Sequence, residues 1–295
     1  MQTDEVVSLA GTTILSNVQA GGVGNGGSVN ITAGTLSLTN GAQISASTFG
    51  SGDAGSVFVQ ADEAVSLAGR NTTIFSSVEA GGVGNGSSIN ITASSLSLNN
   101  GAQLQTSVYK ASGSLAAGRG DAGDVNINVR DAVRMDGASG TFFSGVGTGV
   151  GQGVVGNGGD INITAGSLSL TNGAQLAAST SGQGTAGTIA LTTRGAISFD
   201  GTAGGGLGSA AFSAVDAGAV GDGGDIKITA DSLSLTNGAQ LATLVRGVSD
   251  TLAGGRGNAG NVSVDVRNRL TIAGVDSNLD FGQKRVFANN LRKQQ

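Results

Sequence analysis

The sequence contains no cysteine, no proline, no histidine and no tryptophan, and only 3% of its residues are aromatic. Without cysteine it can form neither disulfides nor thiolate metal sites. Without histidine it can form neither a Ser-His-Asp triad nor a histidine-based metal site. The absence of proline, in contrast, leaves every backbone N–H able to hydrogen-bond within a sheet. Much catalytic and metal chemistry is therefore excluded, whereas extensive strand pairing is not.

The chain also has few charges and no long apolar segment. Charged residues make up 12% of the sequence and the formal net charge is −5, so nucleic-acid binding is not expected. No stretch approaches the roughly 20 apolar residues of a membrane helix. Residues 1–5 have neither the basic start nor the apolar run of a signal peptide. The sequence therefore predicts no membrane span, and we expect no export signal in residues 1–5.

Glycine and small aliphatic residues dominate what is present. The chain has 54 glycines, and 38% of its residues are hydrophobic, with many Val, Ile and Leu. This apolar content is higher than that of disordered chains. Short alternating runs such as Ser28–Ile31 and Leu36–Leu38 have the period of a strand with one buried face. The sequence therefore predicts an all-β protein.

A ten-residue pattern occurs four times. It reads Gly-Asn-Gly-Gly-Ser-Val-Asn-Ile-Thr-Ala from Gly24, and close copies begin at Gly84, Gly156 and Gly221. Each copy continues into Leu-Ser-Leu and then Asn-Gly-Ala-Gln, and weaker half-copies lie between them. We therefore align eight units on one glycine each: Gly27, Gly55, Gly86, Gly123, Gly159, Gly187, Gly224 and Gly260. Such a repeat predicts a solenoid, in which each unit buries its apolar face against its neighbours.

Each unit contains three short strands, for example Val29–Ile31, Leu36–Leu38 and Ile44–Ala46. Three strands per turn predict a single right-handed parallel β-helix of about eight to nine coils. Differences in unit length fall after the third strand, so we expect all inserted loops to emerge on one side of the solenoid. These predicted loops are residues 107–119, 142–155, 201–219 and 245–256.

The Asn-Gly corners predict turn chemistry and not a binding site, because Asn and Gly tolerate positive φ better than other residues. Alternate units carry a glycine at the analogous corner, at Gly69, Gly137, Gly201 and Gly274. The predicted structural turns are Asn40-Gly41, Asn100-Gly101, Asn172-Gly173 and Asn237-Gly238.

The repeat resembles that of a known family. The motif Gly-Asn-Gly-Gly-(Ser/Asp)-(Val/Ile)-Asn-Ile-Thr-Ala, followed by Leu-Ser-Leu-Thr-Asn-Gly-Ala-Gln, is similar to the repeats of filamentous-haemagglutinin-like exoproteins, particularly those of cyanobacteria. The resemblance covers roughly residues 5–275. It implies a right-handed β-helix, export by two-partner secretion through an outer-membrane pore, and a role in adhesion or surface structure. Cell-surface or matrix glycans or proteins would be the partners.

The secretion module of that family is not found in the sequence, which starts within a repeat at Val6–Leu9. We therefore expect the chain to be a fragment of a longer exoprotein that acts outside the cell or at its surface. Residues 1–275 are predicted to form the β-helix domain. Residues 276–295, where the repeat dissolves, are predicted to form a cap or a disordered tail.

Acidic residues recur beside the first strand of several units. Asp124 and Asp160 occupy the same place in adjacent units, and Asp121 and Asn157 each precede them by three positions. Like charges stacked in this way repel unless water, Asn or a cation lies between them. Because calcium takes six to eight oxygen ligands, Asp121, Asp124, Asn157 and Asp160 are a candidate calcium site. The alternative is that they are solvated charges at a turn.

Parallel β-helices also include polysaccharide lyases and hydrolases, which use carboxylate clusters, often with Lys or Arg and calcium, and aromatic platforms for the sugar. This sequence has one Tyr and no Trp, and its repeat region has only two lysines, Lys110 and Lys227. We therefore expect a non-enzymatic adhesin or structural rod with no catalytic residues and no cofactor. A polysaccharide-active enzyme and a calcium-stabilised solenoid are the alternatives.

Overall fold

The computed structural model describes residues 5–140, 142–204, 206–274 and 291–292, and all regular secondary structure within them is β-strand. The strands stack in parallel as a β-solenoid of eight coils, which confirms the predicted parallel β-helix. The described part of the chain has no helix that could span a membrane. The predicted cap or tail lies outside the described residues except for residues 291–292.

Two parallel sheets, which we call sheet A and sheet B, run along the solenoid. The strands of sheet A are β1 (Val6–Ala10), β3 (Val29–Thr39), β5 (Val57–Ala68), β7 (Ile89–Asn99), β9 (Val125–Asp136), β13 (Ile161–Ala165), β14 (Ser167–Thr171), β16 (Ile189–Thr193), β17 (Ala196–Asp200), β21 (Ile226–Thr236), β23 (Val262–Ala273) and β24 (Leu291–Arg292). The strands of sheet B are β2 (Thr13–Leu15), β4 (Gln43–Ser45), β6 (Thr73–Phe75), β8 (Gln103–Val108), β12 (Gly145–Val150), β15 (Gln175–Thr180), β20 (Ala210–Val215) and β22 (Gln240–Val245). Two antiparallel hairpins, β10 (Ala138–Ser139) with β11 (Phe142–Phe143) and β18 (Thr202–Ala203) with β19 (Leu207–Gly208), project from corners.

The register of sheet A defines the coils. We number coils 1 to 8 by the residues that begin them, which are successive pairing partners: Val29, Val57, Ile89, Val125, Ile161, Ile189, Ile226 and Val262. This register corrects one position of the sequence alignment. Ser87, and not Gly86, is equivalent to Gly55 and Gly123, because it lies two residues before Ile89. The alignment followed the glycine, whereas hydrogen bonding places the serine in that column.

The first two predicted strands of a unit are usually one bent strand. Strand β3 contains both Val29–Ile31 and Leu36–Leu38, and its pairing with β5 shifts register between Ala33 and Thr35. In coils 5 and 6 the two halves are separate strands. The third predicted strand is confirmed as the sheet-B strand β4, which overlaps Ile44–Ala46. Each of coils 1 to 7 therefore has a bent sheet-A segment, continuous or in two halves, followed by a strand of sheet B.

Inward side chains form one continuous hydrophobic core. Val29, Ile31, Leu36 and Leu38 of β3 are buried, as is Ile44 of β4. Equivalent positions in the other coils carry mostly Val, Ile or Leu, so aliphatic side chains stack in columns along the axis. Because one coil has few core residues of its own, its stability comes from packing against the coils on either side.

A glycine-rich closing turn lies just before the first residue of each of the eight coils. The turns share the pattern Gly-Asx-(Gly/Ala)-Gly, with Thr185 and Ser87 as exceptions, at residues 24–27, 52–55, 84–87, 120–123, 156–159, 184–187, 221–224 and 257–260. At Gly120, where φ is +128°, a Cβ atom would lie 1.9 Å from the carbonyl oxygen of Gly84 in the previous coil. The backbones of adjacent coils therefore approach too closely at these turns for Gly84 or Gly120 to be replaced by a residue with a side chain.

Insertions occur at two corners, which corrects the prediction of a single side. In coils 3 and 7 the extra residues follow the sheet-B strand, between Val108 and Arg119 and between Val245 and Arg256. In coils 4 and 6 they precede it as the two hairpins. The predicted loops at residues 142–155 and 201–219 contain the sheet-B strands β12 and β20. Both strands are rich in Gly or Ala, so their sequences resemble loops, and only pairing with neighbouring coils makes them strands.

Candidate functional site: a groove along sheet A

The outer surface of sheet A has a groove parallel to the solenoid axis. The groove follows the bend of the long strands from Gln60 in coil 2 to Arg267 in coil 8, with a volume of about 840 Å³. At about 4.8 Å per coil, its six steps correspond to about 29 Å. Its floor is a column of small buried residues, among them Ala61, Ala93 and Ala165. This shape fits an extended linear chain better than a compact ligand.

One wall of the groove is a column of exposed polar side chains, which we call the threonine column. Its members are register partners in successive coils, so a hydroxyl, amide or carboxylate recurs about every 4.8 Å. They are Gln60, Thr92, Asn128, Thr164, Thr192, Thr229 and Asp265. The backbone N–H and C=O groups of these strands pair with neighbouring coils, so side chains are the groups offered to a ligand.

The opposite wall carries an exposed arginine in coils 4, 6 and 8: Arg130, Arg194 and Arg267. The guanidinium of Arg194 donates to the carbonyl oxygen of Arg130, and that of Arg267 donates to the carbonyl oxygen of Arg194 at 3.2 Å. Arg130 donates to Ser94 Oγ at 2.5 Å, and its Nε lies 3.6 Å from the carboxylate of Asp131. The side chains of Arg194 and Arg267 therefore extend along the groove past the intervening coil, whereas that of Arg130 reaches the adjacent coil. A guanidinium has five N–H donors, so these contacts leave several for a ligand.

The charge of the groove changes along its length. Asp62 lines it in coil 2 and Asp265 lines it in coil 8, whereas Arg130 and Arg194 are the charged residues that line its central part. The two aspartates are six coils, or about 29 Å, apart. The two carboxyl groups of glycosidases lie within about 10 Å of each other. Asp62 and Asp265 therefore cannot act as such a pair.

An asparagine ladder lies beside the threonine column on the same outer face. Asn126 Nδ2 donates to Asn90 Oδ1 at 3.1 Å, and Asn162 Nδ2 donates to Asn126 Oδ1 at 3.0 Å. Phe58, the register partner of Asn90 in coil 2, is 44% exposed. The polar surface therefore extends beyond the groove wall and has one aromatic side chain at its coil-2 end.

The predicted calcium ligands lie in two ladders of hydrogen bonds between coils. Asp121 Oδ1 accepts hydrogen bonds from the backbone N–H of Asn157 at 2.7 Å and from its side-chain amide at 3.2 Å. Asn157 Oδ1 in turn accepts the N–H of Thr185 at 3.1 Å. In the second ladder, Asp124 Oδ1 accepts the N–H of Asp160 at 2.8 Å. The polar side chains of each turn therefore bind the backbone of the next turn.

This arrangement continues through much of the solenoid. Asn25, Asp53 and Asn85 accept the amides of the residues equivalent to them one coil further on, at 2.7 to 3.0 Å. In coil 7 the N–H of Asn261 donates to Asp225, and this hydrogen bond is the main reason why the pKa of Asp225 is lowered. We call the column that includes Asp53, Asp121 and Asp222 the Asx ladder.

The structure does not assemble the predicted calcium ligands into a metal cluster. No group of three or more Asp or Glu side chains suitable for one ion occurs among the described residues. Asp124 and Asp160 instead stack in one ladder, and Asp121 stacks on Asn157 in the other. Each of the three carboxylates uses one oxygen to accept an amide of the next coil. Calcium binding at these residues stays a prediction, and the ladder gives the same side chains a structural role.

The predicted turn residues have the backbone conformation that the sequence indicated. Asn40, Asn100, Asn172 and Asn237 have φ between 53° and 56°, and the glycines that follow them, Gly41, Gly101, Gly173 and Gly238, also have positive φ. The side-chain amides of Asn172 and Asn237 donate to Asp136 and Asp200 of the previous coil at 2.8 and 2.7 Å. These residues fix corners, as expected, and they lie outside the groove lining.

A carboxyl group with a raised pKa lies at the sheet-B corner of coil 2. Burial raises the pKa of Glu79 from 4.5 to about 7, and burial together with the nearby Glu79 raises the pKa of Tyr109. The equivalent carboxylate in coil 6, Asp216, forms an ion pair with Arg246 in the next coil at 2.8 Å. Tyr109 occupies the place of that arginine beside Glu79, and its hydroxyl donates to Gln105 at 2.7 Å.

Sequence reasoning missed the arginines of the groove. Arg130, Arg194 and Arg267 each lie five residues after the first residue of their coil, in coils 4, 6 and 8. A signal was therefore present, as a cation at one fixed offset in alternate units. It became visible only when the units were aligned on strand register, because the motif copies themselves contain no arginine.

The fold and groove together define a parallel β-helix with a polar lateral surface. Comparison of the sequence with protein-family models and with curated proteins, and of the structure with solved structures, finds no match.

Proposed function

We propose that the protein is a non-enzymatic rod that serves adhesion or surface structure, and that it forms part of a longer haemagglutinin-like exoprotein outside the cell or at its surface. The observation that carries this proposal is the continuous register of eight coils, which holds polar columns at a constant spacing along one face. Repetition of one weak contact along a stiff rod gives strong multivalent attachment.

The distribution of carboxylates supports a non-enzymatic role. The two carboxylates that line the groove lie at opposite ends of it, and Glu79 does not line it. The ladder carboxylates Asp121, Asp124 and Asp160 accept backbone amides of adjacent coils. A polysaccharide-active enzyme needs an acid and a base, or a base and a cation, converging on one glycosidic bond.

Binding partners and an export pathway are part of the same proposal. Cell-surface or matrix glycans or proteins are the partners of the lateral face, and an outer-membrane secretion pore exports the longer product. These assignments follow from the resemblance of the repeat motif at residues 24–33 and 36–43 to haemagglutinin-like exoproteins.

Two measurements on the purified chain test the proposal. The first is retention of labelled protein on bacterial cells and on wells coated with extracellular polysaccharide or matrix protein. The second is release of soluble sugar ends from a panel of polysaccharides. We expect retention on at least one surface and no release above the buffer control. Catalytic release of oligosaccharides would overturn the non-enzymatic assignment, and retention on none of the surfaces would remove adhesion in favour of a purely structural rod.

A further inference from the structure

We propose that the groove of sheet A binds one class of ligand: a linear polysaccharide that carries carboxylate or sulfate groups. Arg130, Arg194 and Arg267 bind the anionic groups, and the threonine column binds sugar hydroxyls. This inference rests on the proposed function, because it names the ligand of the adhesive face. It goes further by assigning the site and the chemistry that recognises the ligand.

The groove suits a chain that runs along the solenoid axis, perpendicular to the strands. A polypeptide in that orientation could not add to the sheet, because strand addition requires a parallel or antiparallel approach to a free sheet edge. Only side chains of the groove could then form hydrogen bonds with the backbone amides of that polypeptide. A polysaccharide presents hydroxyls on every sugar, and the hydroxyls and amides of Thr92, Asn128, Thr164 and Thr192 recur about every 4.8 Å to bind them. The geometry therefore favours a glycan over a peptide.

The arginines indicate that the glycan is anionic. The backbones of Arg130 and Arg194 are two coils apart, as are those of Arg194 and Arg267, so an arginine recurs along this wall about every 9.6 Å. The guanidinium groups reach Ser94 in coil 3, the carbonyl oxygen of Arg130 in coil 4 and that of Arg194 in coil 6. Guanidinium binds carboxylate and sulfate oxygens through paired N–H donors, which makes such contacts stronger than hydrogen bonds between neutral groups. The carboxylate of Asp131 pairs with Arg130 but does not line the groove. Arg130 and Arg194 are therefore the charged residues that line its central part, between Asp62 and Asp265.

A nucleic acid is a poorer occupant of the same groove. The chain has a net charge of −5 and 3% aromatic residues, and no aromatic side chain lines the groove among the described residues. Single-stranded nucleic acids are bound largely by stacking of bases on aromatic rings and by cationic tracks.

The test uses the complete chain and two defined probes, an oligogalacturonate and a neutral malto-oligosaccharide of the same length. A sulfated glycan of that length serves as a second anionic probe. Titration calorimetry is performed at low and at physiological salt. The first variant is Arg130→Gln with Arg194→Gln, which removes two charges from the groove. Its matched control is Arg119→Gln with Arg256→Gln, which removes two exposed charges from the turn face outside the groove. A further variant, Thr164→Tyr, fills the groove without a change of charge.

We expect the oligogalacturonate to bind more tightly than the neutral sugar and to bind less tightly as salt is raised. The groove variant should lose about tenfold or more in affinity, the control should retain the affinity of the parent chain, and Thr164→Tyr should also weaken binding. Circular dichroism and thermal unfolding show whether each variant keeps the β-solenoid. If Arg130→Gln with Arg194→Gln unfolds, Thr164→Tyr alone still tests the location of the site.

Three results would overturn the inference. They are equal affinity for the neutral sugar, equal loss of affinity in the control and the groove variants, and no binding of the oligogalacturonate or of a sulfated glycan of the same length. A preference for the sulfated glycan that is lost in both groove variants would support the inference and identify the anionic group. If the chain binds none of these glycans but is still retained on surfaces, this inference fails and the proposed adhesive function stands. Cleavage of either probe would overturn the proposed function itself.

Discussion

At the scale of single residues, glycines such as Gly120 in the closing turns have no room for a side chain beside the backbone of the previous coil. Substituting Gly120 by Ala would place a Cβ atom 1.9 Å from a carbonyl oxygen and would force φ of +128° on a residue with a side chain. We expect Gly120→Ala to lower the free energy of unfolding by about 3 kcal/mol, because the backbone strain and the clash add to each other. Denaturant unfolding followed by circular dichroism measures this loss.

Gly247 provides the matched control for that substitution. It is exposed, a Cβ atom there would have nothing within 4 Å, and its φ is not positive. We expect Gly247→Ala to change the free energy of unfolding by less than about 0.5 kcal/mol. Equal effects at the two positions would show that close approach of adjacent turns does not constrain the solenoid.

Glu79 is the residue for which we expect a pH dependence. Its pKa rises from 4.5 to about 7 on folding, so the folded state favours the protonated form. The resulting contribution to stability is fully present below about pH 4.5 and is lost as the pH rises through 7. At pH 8 the buried charge therefore costs on the order of 2–3 kcal/mol, and Glu79→Gln should be more stable than the parent by that order.

The measurement is the difference in free energy of unfolding between Glu79→Gln and the parent chain as a function of pH. The difference should grow between pH 4.5 and 7 and then level off. Asp216→Asn is the control at the equivalent position of coil 6, where the carboxylate is paired with Arg246. It should be less stable than the parent at pH 8, by up to about 1 kcal/mol. A pH-independent difference for Glu79→Gln would contradict the raised pKa.

At the scale of structural elements, the Asx ladder joins one closing turn to the next. Asp121→Ala removes the acceptor of two hydrogen bonds from Asn157 and should cost about 1 kcal/mol of stability. Asp121→Asn keeps an oxygen at the same place and should cost less. Because the ladder carboxylates already accept amides, calcium or a chelator should leave the melting temperature of the parent chain unchanged. A calcium-dependent rise that disappears in Asp121→Asn would instead support the predicted calcium site.

Elements with a local signal were predicted well from the sequence. The alternation in Val29–Ile31 and Leu36–Leu38 gave the strands of sheet A, and Asn40-Gly41 gave the corner, because both depend on residues close together in the chain. The Gly-rich sheet-B strand β12 was mistaken for a loop, since its conformation depends on pairing with β8 and β15.

The candidate site could not be predicted in the same way. Its arginines contact one another across 64 and 73 residues of sequence, from Arg130 to Arg194 and from Arg194 to Arg267. Insertions of different length separate the coils, so these contacts depend on a register that the motif copies specify only approximately. The one-residue error at Gly86 would by itself have moved the aligned positions of coil 3 to the opposite face.

At the scale of the whole molecule, the solenoid behaves as a stack in which strand pairing and the Asx ladder join each coil to its neighbours. Hydrogen bonds of the Asx ladder and pairs within both sheets connect adjacent coils, while the arginine contacts reach two coils. Stability in such an array is roughly a sum of contributions from coils and from the interfaces between them. The coil, and not the whole chain, is therefore the expected unit of tolerated deletion.

Deletion of residues 125–160 tests this expectation, because it removes one complete coil of 36 residues and joins Asp124 to Ile161 in place of the equivalent Asp160. Coil 3 then stacks on coil 5, and Ile89 and Leu104 meet Ile161 and Leu176 in the register that coil 4 gave them. We expect the shortened chain to fold, with a rod shorter by about 4.8 Å in X-ray scattering.

Deletion of residues 125–142 is the control, because it removes β9 but keeps β12. One coil then lacks its sheet-A strand, and the apolar side chains of β7 and β13 lose their partner. That chain should lose cooperative unfolding or aggregate, and a folded half-coil deletion beside an unfolded full-coil deletion would refute the coil as the unit of stability.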